Sequence, residues 1–169
     1  MVPALTVIVA LDEFCSWLEK TPVSLTIQTA EWIIPTVQTL HILSIGLLMS
    51  AVLMIDLRLL GWSAADQPVM RVAARFMPVL WRTLPVLLLS GLIMIVAEPA
   101  RSLENFAFQL KMLLLALIVA LTYNVSRRID TNRWISASAW MRKGFPLVSL
   151  ALWVSIVFAG RWIAYVRVQ

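Results

Sequence analysis

Four long apolar stretches alternate with shorter polar segments along the chain, at residues 29–60, 78–97, 106–125 and 146–166. About 20 consecutive apolar residues suffice for a helix to cross the hydrocarbon core of a bilayer. Because lipid offers the backbone no hydrogen bonds, a helix is the form in which such a stretch satisfies its own N–H and C=O groups. The pattern therefore predicts an all-α integral membrane protein, with residues 1–169 forming one transmembrane four-helix bundle.

A shorter amphipathic pattern precedes the first span, at residues 3–20. Ile8, Leu11, Phe14 and Leu18 recur there at helical spacing, with acidic residues elsewhere on the helix. The apolar part is too short to cross a bilayer. It therefore predicts a short N-terminal helix that lies in the membrane interface.

The segments that connect the spans also carry weak helical signals. Short surface helices are predicted at 70–75 and 133–142, where basic and aromatic side chains recur. The 98–104 segment is brief, which predicts that the second and third spans form an antiparallel hairpin.

Basic residues are divided unevenly between the two sides of this predicted bundle. The chain is 61% hydrophobic and 14% charged with a formal net charge of +5, and no basic face with interleaved aromatics suggests nucleic acid. One side holds Arg58, Arg71, Arg75, Arg127, Arg128, Arg133, Arg142 and Lys143, and the other holds Lys20, Arg101 and Arg167. Because cytoplasmic segments are enriched in Lys and Arg, we predict a multi-pass protein of the bacterial inner membrane with both termini in the periplasm.

Five polar residues of the predicted spans fall in the same, periplasmic half. Glu31, Gln38 and His41 form a stripe on one face of the first span, while Lys111 and Arg161 lie in the third and fourth spans. Charged groups at such depth are costly unless paired, and they often mark functional sites. The pattern predicts a periplasm-facing ligand or cofactor site. The alternative also stands: the two basic chains snorkel to the headgroups and His41 bonds a backbone carbonyl.

A second polar group falls in the cytoplasmic half. Asp56 and Arg58 end the first span, and Arg82 lies about one turn inside the second. We predict a structural ion pair between Asp56 and Arg82 that sets the register of the two helices, since buried pairs specify geometry more than they add stability.

Small residues repeat every four positions on two of the spans. They are Gly46 and Ser50 on the first, and Ala151, Ser155 and Ala159 on the fourth. Such stripes allow helices to approach closely. They favour contacts within the bundle over contacts between copies of the chain.

The first span resembles a known family in its polar and glycine positions. Glu31-Trp32, the run from His41 to Gly46, and Asp56-Leu57-Arg58-Leu59-Leu60-Gly61 are similar to an uncharacterised family of small bacterial inner-membrane proteins, a domain of unknown function. The resemblance extends over most of the chain. It implies a bacterial source, four spans and interest in Glu31, His41, Asp56 and Arg58, and it implies no activity.

Three functions are favoured by the sequence, ahead of an intramembrane enzyme, which also remains open. The first is a non-catalytic subunit or binding module, because the chain shows no histidine-paired nucleophile, glycine-rich phosphate loop or carboxylate cluster. The second is electron transfer with a b-type haem or a quinone at His41. Since His41 is the single histidine, a second axial haem ligand within the chain would be a methionine such as Met94 or Met112.

The third function is transport of a proton, a metal ion or a small solute. His41 and Glu31 would bind the cargo, and Asp56 with Arg82 would form an inner gate. One histidine makes His41 only a weak metal ligand, and four spans are few for a transporter, so this function requires an oligomer. In each case the expected partners are the lipid bilayer and a larger membrane complex or further copies of the chain.

Overall fold

The computed structural model describes residues 2–64, 66–131 and 139–162, and every regular element in them is a helix. The elements are α1 (Val2–Glu19), α2 (Pro22–Thr29), α3 (Ile33–Leu60), α4 (Val69–Ala97), α5 (Pro99–Leu103), α6 (Phe106–Asp130) and α7 (Ala139–Trp162). The predicted all-α fold is confirmed. Four helices, α3, α4, α6 and α7, are long and apolar enough to cross a membrane.

Several helix limits differ from the predicted spans because helical hydrogen bonding continues past the apolar residues. The predicted surface helix at 70–75 forms the first turns of α4, which begins directly after Pro68. The helix predicted at 133–142 falls mostly on residues 132–138, outside the described part of the chain, and residues 139–142 belong to α7. The first span is the shorter α3, preceded by the separate helix α2, which the sequence analysis missed.

The four long helices form a ring in the order α3, α4, α6, α7, because α3 packs on α4 and α7 while α6 packs on α7 and α4. We call the end where α3 starts and α4 stops the Glu31 end, and the opposite end the Gly61 end. The buried centre consists of large apolar side chains from all four helices: Leu48, Val52, Leu80, Ile118, Trp153 and Ile156. Packing of this cluster holds the ring together.

The small residues of α3 and α7 do not lie at helix contacts, contrary to prediction. Gly46, Ser50, Ala151 and Ser155 are exposed, and a Cβ placed on Gly46 would meet nothing within 4 Å. The two serine hydroxyls donate to carbonyls of their own helices. The bundle instead closes over large side chains, which leaves these stripes on its outer surface.

The N-terminal helices cover the Glu31 end of the bundle. The Ser24 hydroxyl donates to the Val96 carbonyl at 2.7 Å, and the Gln28 amide donates to the Ala97 carbonyl at 3.0 Å. The last carbonyls of a helix have no partner within it, so these side chains of α2 cap α4. Ser24 is fully buried as a result.

The Asp-Leu-Arg-Leu-Leu-Gly segment ends α3 at the Gly61 end. Gly61 takes a left-handed conformation with φ of 79°, which glycine adopts without the steric cost of a Cβ. Its N–H donates to the Arg58 carbonyl, and the Arg58 side chain donates from Nε to the Gln67 carbonyl at 2.7 Å. Gly61 and Arg58, both in the Asp-Leu-Arg-Leu-Leu-Gly segment, therefore shape the connection between α3 and α4.

We expect the Cys15 thiol to react slowly. It is 1% exposed on α1, and the pKa of the thiol is raised, first by burial and then by the negative charge of Glu104. Because the thiolate is the reactive form, alkylation should be at least about tenfold slower than for an exposed cysteine on the same helix. The measurement is the rate of maleimide labelling of the folded protein.

The matched control is the double variant Cys15→Ser/Ser16→Cys, since Ser16 is the exposed neighbour of Cys15 on α1. The raised pKa means that the protonated thiol is more favourable in the folded protein than in the unfolded one. Its contribution to the free energy of unfolding is therefore complete at low pH and is lost as the pH rises through the pKa of the folded state. Equal labelling rates for the two proteins would contradict the docking of α1 against Glu104.

Candidate functional site

His41 is held against α4 by a side-chain hydrogen bond. Its Nδ1 lies 2.7 Å from the Ser90 Oγ. The ring also passes over Gly91, where an added Cβ would lie 3.7 Å from His41 Cε1. A serine followed by a glycine on α4 thus gives the imidazole both a partner and room.

The hydrogen bonds of Ser90 favour one tautomer of His41. The Ser90 hydroxyl lies 2.6 Å from the Val86 carbonyl, one turn earlier in α4. A hydroxyl has one hydrogen to donate. If that hydrogen goes to the carbonyl, Ser90 accepts from His41, so Nδ1 carries the proton and Nε2 keeps its lone pair. Nε2 has no partner among the described residues.

Lys111 reaches the same region from α6. Its side chain is half-buried against Gly160 of α7, where an added Cβ would lie 3.6 Å from the Lys111 Nζ. The ammonium group is within electrostatic range of His41. Across the described residues, no carboxylate forms an ion pair with it, since the ion pair found there joins Glu98 to Arg101.

Two of the other predicted residues of this half, Glu31 and Gln38, do not join the His41–Lys111 pair. Glu31 is exposed in the turn that precedes α3, and Gln38 is exposed on the surface of α3. Arg161 is exposed in the last turn of α7, next to Gly160. His41 alone of the predicted α3 stripe turns toward the bundle interior, because the two polar residues before it lie on the outward-facing side.

The predicted ion pair between Asp56 and Arg82 is not formed. Arg82 is exposed on α4, whereas Asp56 is 2% exposed and lies beside the Ser149 hydroxyl of α7. Arg58 is bonded to the Gln67 carbonyl. Arg82 points outward because the inward positions of its turn go to the apolar Leu80 and to Thr83. The inner gate suggested for a transporter loses its basis.

Ser90 and Gly91, the partners of His41, are not among the predicted site residues. They interrupt the apolar run Leu87-Leu88-Leu89-Ser90-Gly91-Leu92-Ile93 in the middle of the second span. A hydroxyl beside a glycine in such a run is a signal for a close polar contact. The signal was available, but only the packing of α3 on α4 identifies His41 as the partner.

The described residues contain no group of three or more His, Cys, Asp or Glu side chains placed to hold a metal ion. Of the methionines considered as haem ligands, Met94 is partly buried on α4, one turn beyond Ser90. Met112 is 39% exposed on α6. Met94 is therefore the better placed of the two to approach the His41 side of the bundle.

Comparisons with known proteins include a family match. No curated protein and no solved structure matches the chain. A family model described as a family of unknown function, DUF6644, matches residues 14–166. This match takes in all four long helices, both polar regions and the α2 cap. The chain belongs to this family of unknown function, DUF6644.

Proposed function

We propose that this protein is a non-catalytic binding subunit of the bacterial inner membrane that holds a small oxygen-bearing ligand at the His41–Lys111 pair. The observation that supports this most directly is the anchored imidazole. Nδ1 is 2.7 Å from Ser90 Oγ while Nε2 has no partner within the described residues. A ring fixed by one nitrogen presents the other in a defined direction, which is the preorganisation that a binding site needs.

The two side chains select the chemistry of the ligand. Lys111 donates hydrogen bonds and carries positive charge. In the tautomer that is protonated on Nδ1, His41 Nε2 accepts a hydrogen bond. A quinone fits both, because its carbonyl oxygen accepts from the ammonium and, in the reduced form, its hydroxyl donates to Nε2. The surrounding span is apolar, as the ring and tail of such a ligand require.

The orientation of the protein in the membrane is inferred from the distribution of basic residues between the two ends of the bundle. In the described part of the chain, two basic residues, Lys20 and Arg101, lie in the segments at the Glu31 end and seven lie in those at the Gly61 end. The seven are Arg58, Arg71, Arg75, Arg127, Arg128, Arg142 and Lys143. The positive-inside rule then assigns the Glu31 end to the periplasm. The ligand would occupy the periplasmic half of the bilayer, below the cover made by α1 and α2.

A b-type haem is the second function with support from a particular contact. Histidines that bind metals commonly donate their other ring N–H to a neighbouring acceptor, and His41 with Ser90 has that arrangement. Met94 or a residue of another subunit would supply the second axial position.

The test is an analysis of protein gently purified from its native membrane, with its absorption spectrum, extracted small molecules and co-purifying proteins determined on one sample. We expect quinone to accompany the wild type. Loss of a hydrogen bond to a charged or buried group costs about 1.5–3 kcal/mol. We therefore expect at least a tenfold lower quinone content in His41→Gln and in Lys111→Met.

Gln38→Ala is the matched control, because Gln38 lies one turn before His41 on α3 and is exposed. It should retain wild-type quinone content. Equal quinone in the wild type and in both site variants would refute the quinone site. A Soret band that disappears in His41→Gln would establish the haem alternative instead.

A further inference from the structure

A small cavity lies near the Gly61 end of the bundle, away from the His41–Lys111 pair. It has a volume of about 10 Å³. Its walls come from all four long helices and are mostly apolar. The exceptions are four polar side chains: Asp56, Thr122, Ser149 and Trp153.

Three polar atoms of these side chains have no hydrogen-bond partner among the residues that the structure describes. They are Asp56 Oδ2, Thr122 Oγ1 and Trp153 Nε1, and all three are inaccessible to solvent. The residues are 2%, 6% and 3% exposed, respectively. An unsatisfied buried polar group costs about 1–3 kcal/mol. Three of them around one cavity indicate a missing common partner rather than three separate defects.

The donors and acceptors identify that partner as water. Trp153 Nε1 can only donate, Asp56 offers a carboxyl oxygen, and the Thr122 hydroxyl can do either. An ion of either sign would carry its charge into a mostly apolar cavity at high cost, and a cation would in addition be repelled by the indole N–H. One water molecule needs about 10–15 Å³ and typically makes about three hydrogen bonds.

The same surroundings bear on the charge of Asp56. It is the one ionisable side chain among the residues that line the cavity. On α3 and α4, three basic residues stand two positions from a lining residue. Arg58 is bonded to the Gln67 carbonyl, Arg75 lies over the Phe76 ring, and Arg82 is exposed. On α6 and α7, Arg127 lies over the Tyr123 ring, and Lys143 is exposed. A buried carboxylate without a counter-ion is strongly disfavoured relative to the neutral acid.

We propose that this cavity binds one water molecule shared by Asp56, Thr122 and Trp153, and that the Asp56 carboxyl holds a proton there. The Asp56 hydroxyl and the Trp153 N–H donate to the water, and the water donates to Thr122. The site is a hydrated carboxylic acid near the cytoplasmic end of α3. It shares no residue with the proposed ligand site.

Infrared spectroscopy of the protein in lipid bilayers tests the proposal. At neutral pH we expect a C=O stretching band of a protonated carboxyl group, which shifts in protein made with carboxyl-¹³C-labelled aspartate and is lost in Asp56→Asn. Asp66→Asn is the matched control, because Asp66 is exposed in the α3–α4 connection, and it should leave this band unchanged.

The water is tested by exchange into H₂¹⁸O. We expect an O–H stretching band of a single bound water that shifts on exchange and is lost or displaced in Thr122→Val. This variant replaces one hydroxyl by a methyl group, so it keeps the test open if Asp56→Asn does not fold. A wild-type spectrum without a protonated-carboxyl band that Asp56→Asn removes, or one without an exchangeable bound-water band, would overturn the proposal.

Discussion

Leu80→Ala should lower the free energy of unfolding by about 2–4 kcal/mol. Leu80 is 1% exposed and contacts the central cluster that joins the four long helices. Lipid is as apolar as leucine, so in a bilayer the loss comes from packing rather than from transfer out of water. Removing the side chain leaves a cavity whose walls lose their contacts. Reversible unfolding in mixed micelles measures the change.

Leu88→Ala provides the comparison on the same helix. Leu88 is 56% exposed, on the side of α4 that faces away from the core. Truncation there exchanges a contact with lipid for a similar one, so we expect a change below about 1 kcal/mol. Equal losses for the two variants would show that α4 does not present Leu80 to the centre of the ring.

Gly91→Leu should disrupt the contact between α3 and α4, with an expected loss of about 1–3 kcal/mol. An added Cβ at Gly91 would already lie 3.7 Å from His41 Cε1, an ordinary contact. The further atoms of leucine would enter the space of the imidazole and separate it from Ser90. Gly91→Ala should therefore behave nearly as the wild type. Thermal unfolding in detergent and the imidazole NMR signals of the single histidine report the two effects.

Gly46→Leu is the control for the general effect of a larger side chain in a span. Gly46 is exposed on α3, and a Cβ there would meet nothing within 4 Å. We expect no loss of stability and an unchanged histidine signal. If Gly46→Leu and Gly91→Leu have the same effect, the placement of His41 over Gly91 is wrong.

His41 and Gln38 show that helical periodicity alone does not predict which polar side chains of α3 face the bundle interior. Both were assigned to one polar stripe, yet only His41 turns inward, where Ser90 bonds it. Seen along the helix axis, a stripe of residues covers tens of degrees. The boundary between the side that faces the bundle interior and the side that faces lipid falls within this range. Which residues lie on the inner side depends on the rotation of α3 against α4 and α7.

The partner of Asp56, at the other end of α3, also could not be predicted from charge and spacing. Charge and spacing favoured Arg82 as its partner, but the bundle placed the Ser149 hydroxyl of α7 beside it. Ser149 is distant in the sequence and gives no signal of its own among the serines of the chain. The cavity with Thr122 and Trp153 was equally inaccessible to sequence reasoning, because it needs residues from separate spans to meet.

By itself, the sequence determined the helical class and the four spans, because a long apolar segment in lipid has to satisfy its backbone internally. Only the tertiary structure decided the order of the ring, the capping of α4 by α2, and the partners of His41 and Asp56. These depend on how each helix is rotated and placed against its neighbours. In lipid that placement is set by close packing and a few hydrogen bonds rather than by the separation of apolar from polar residues.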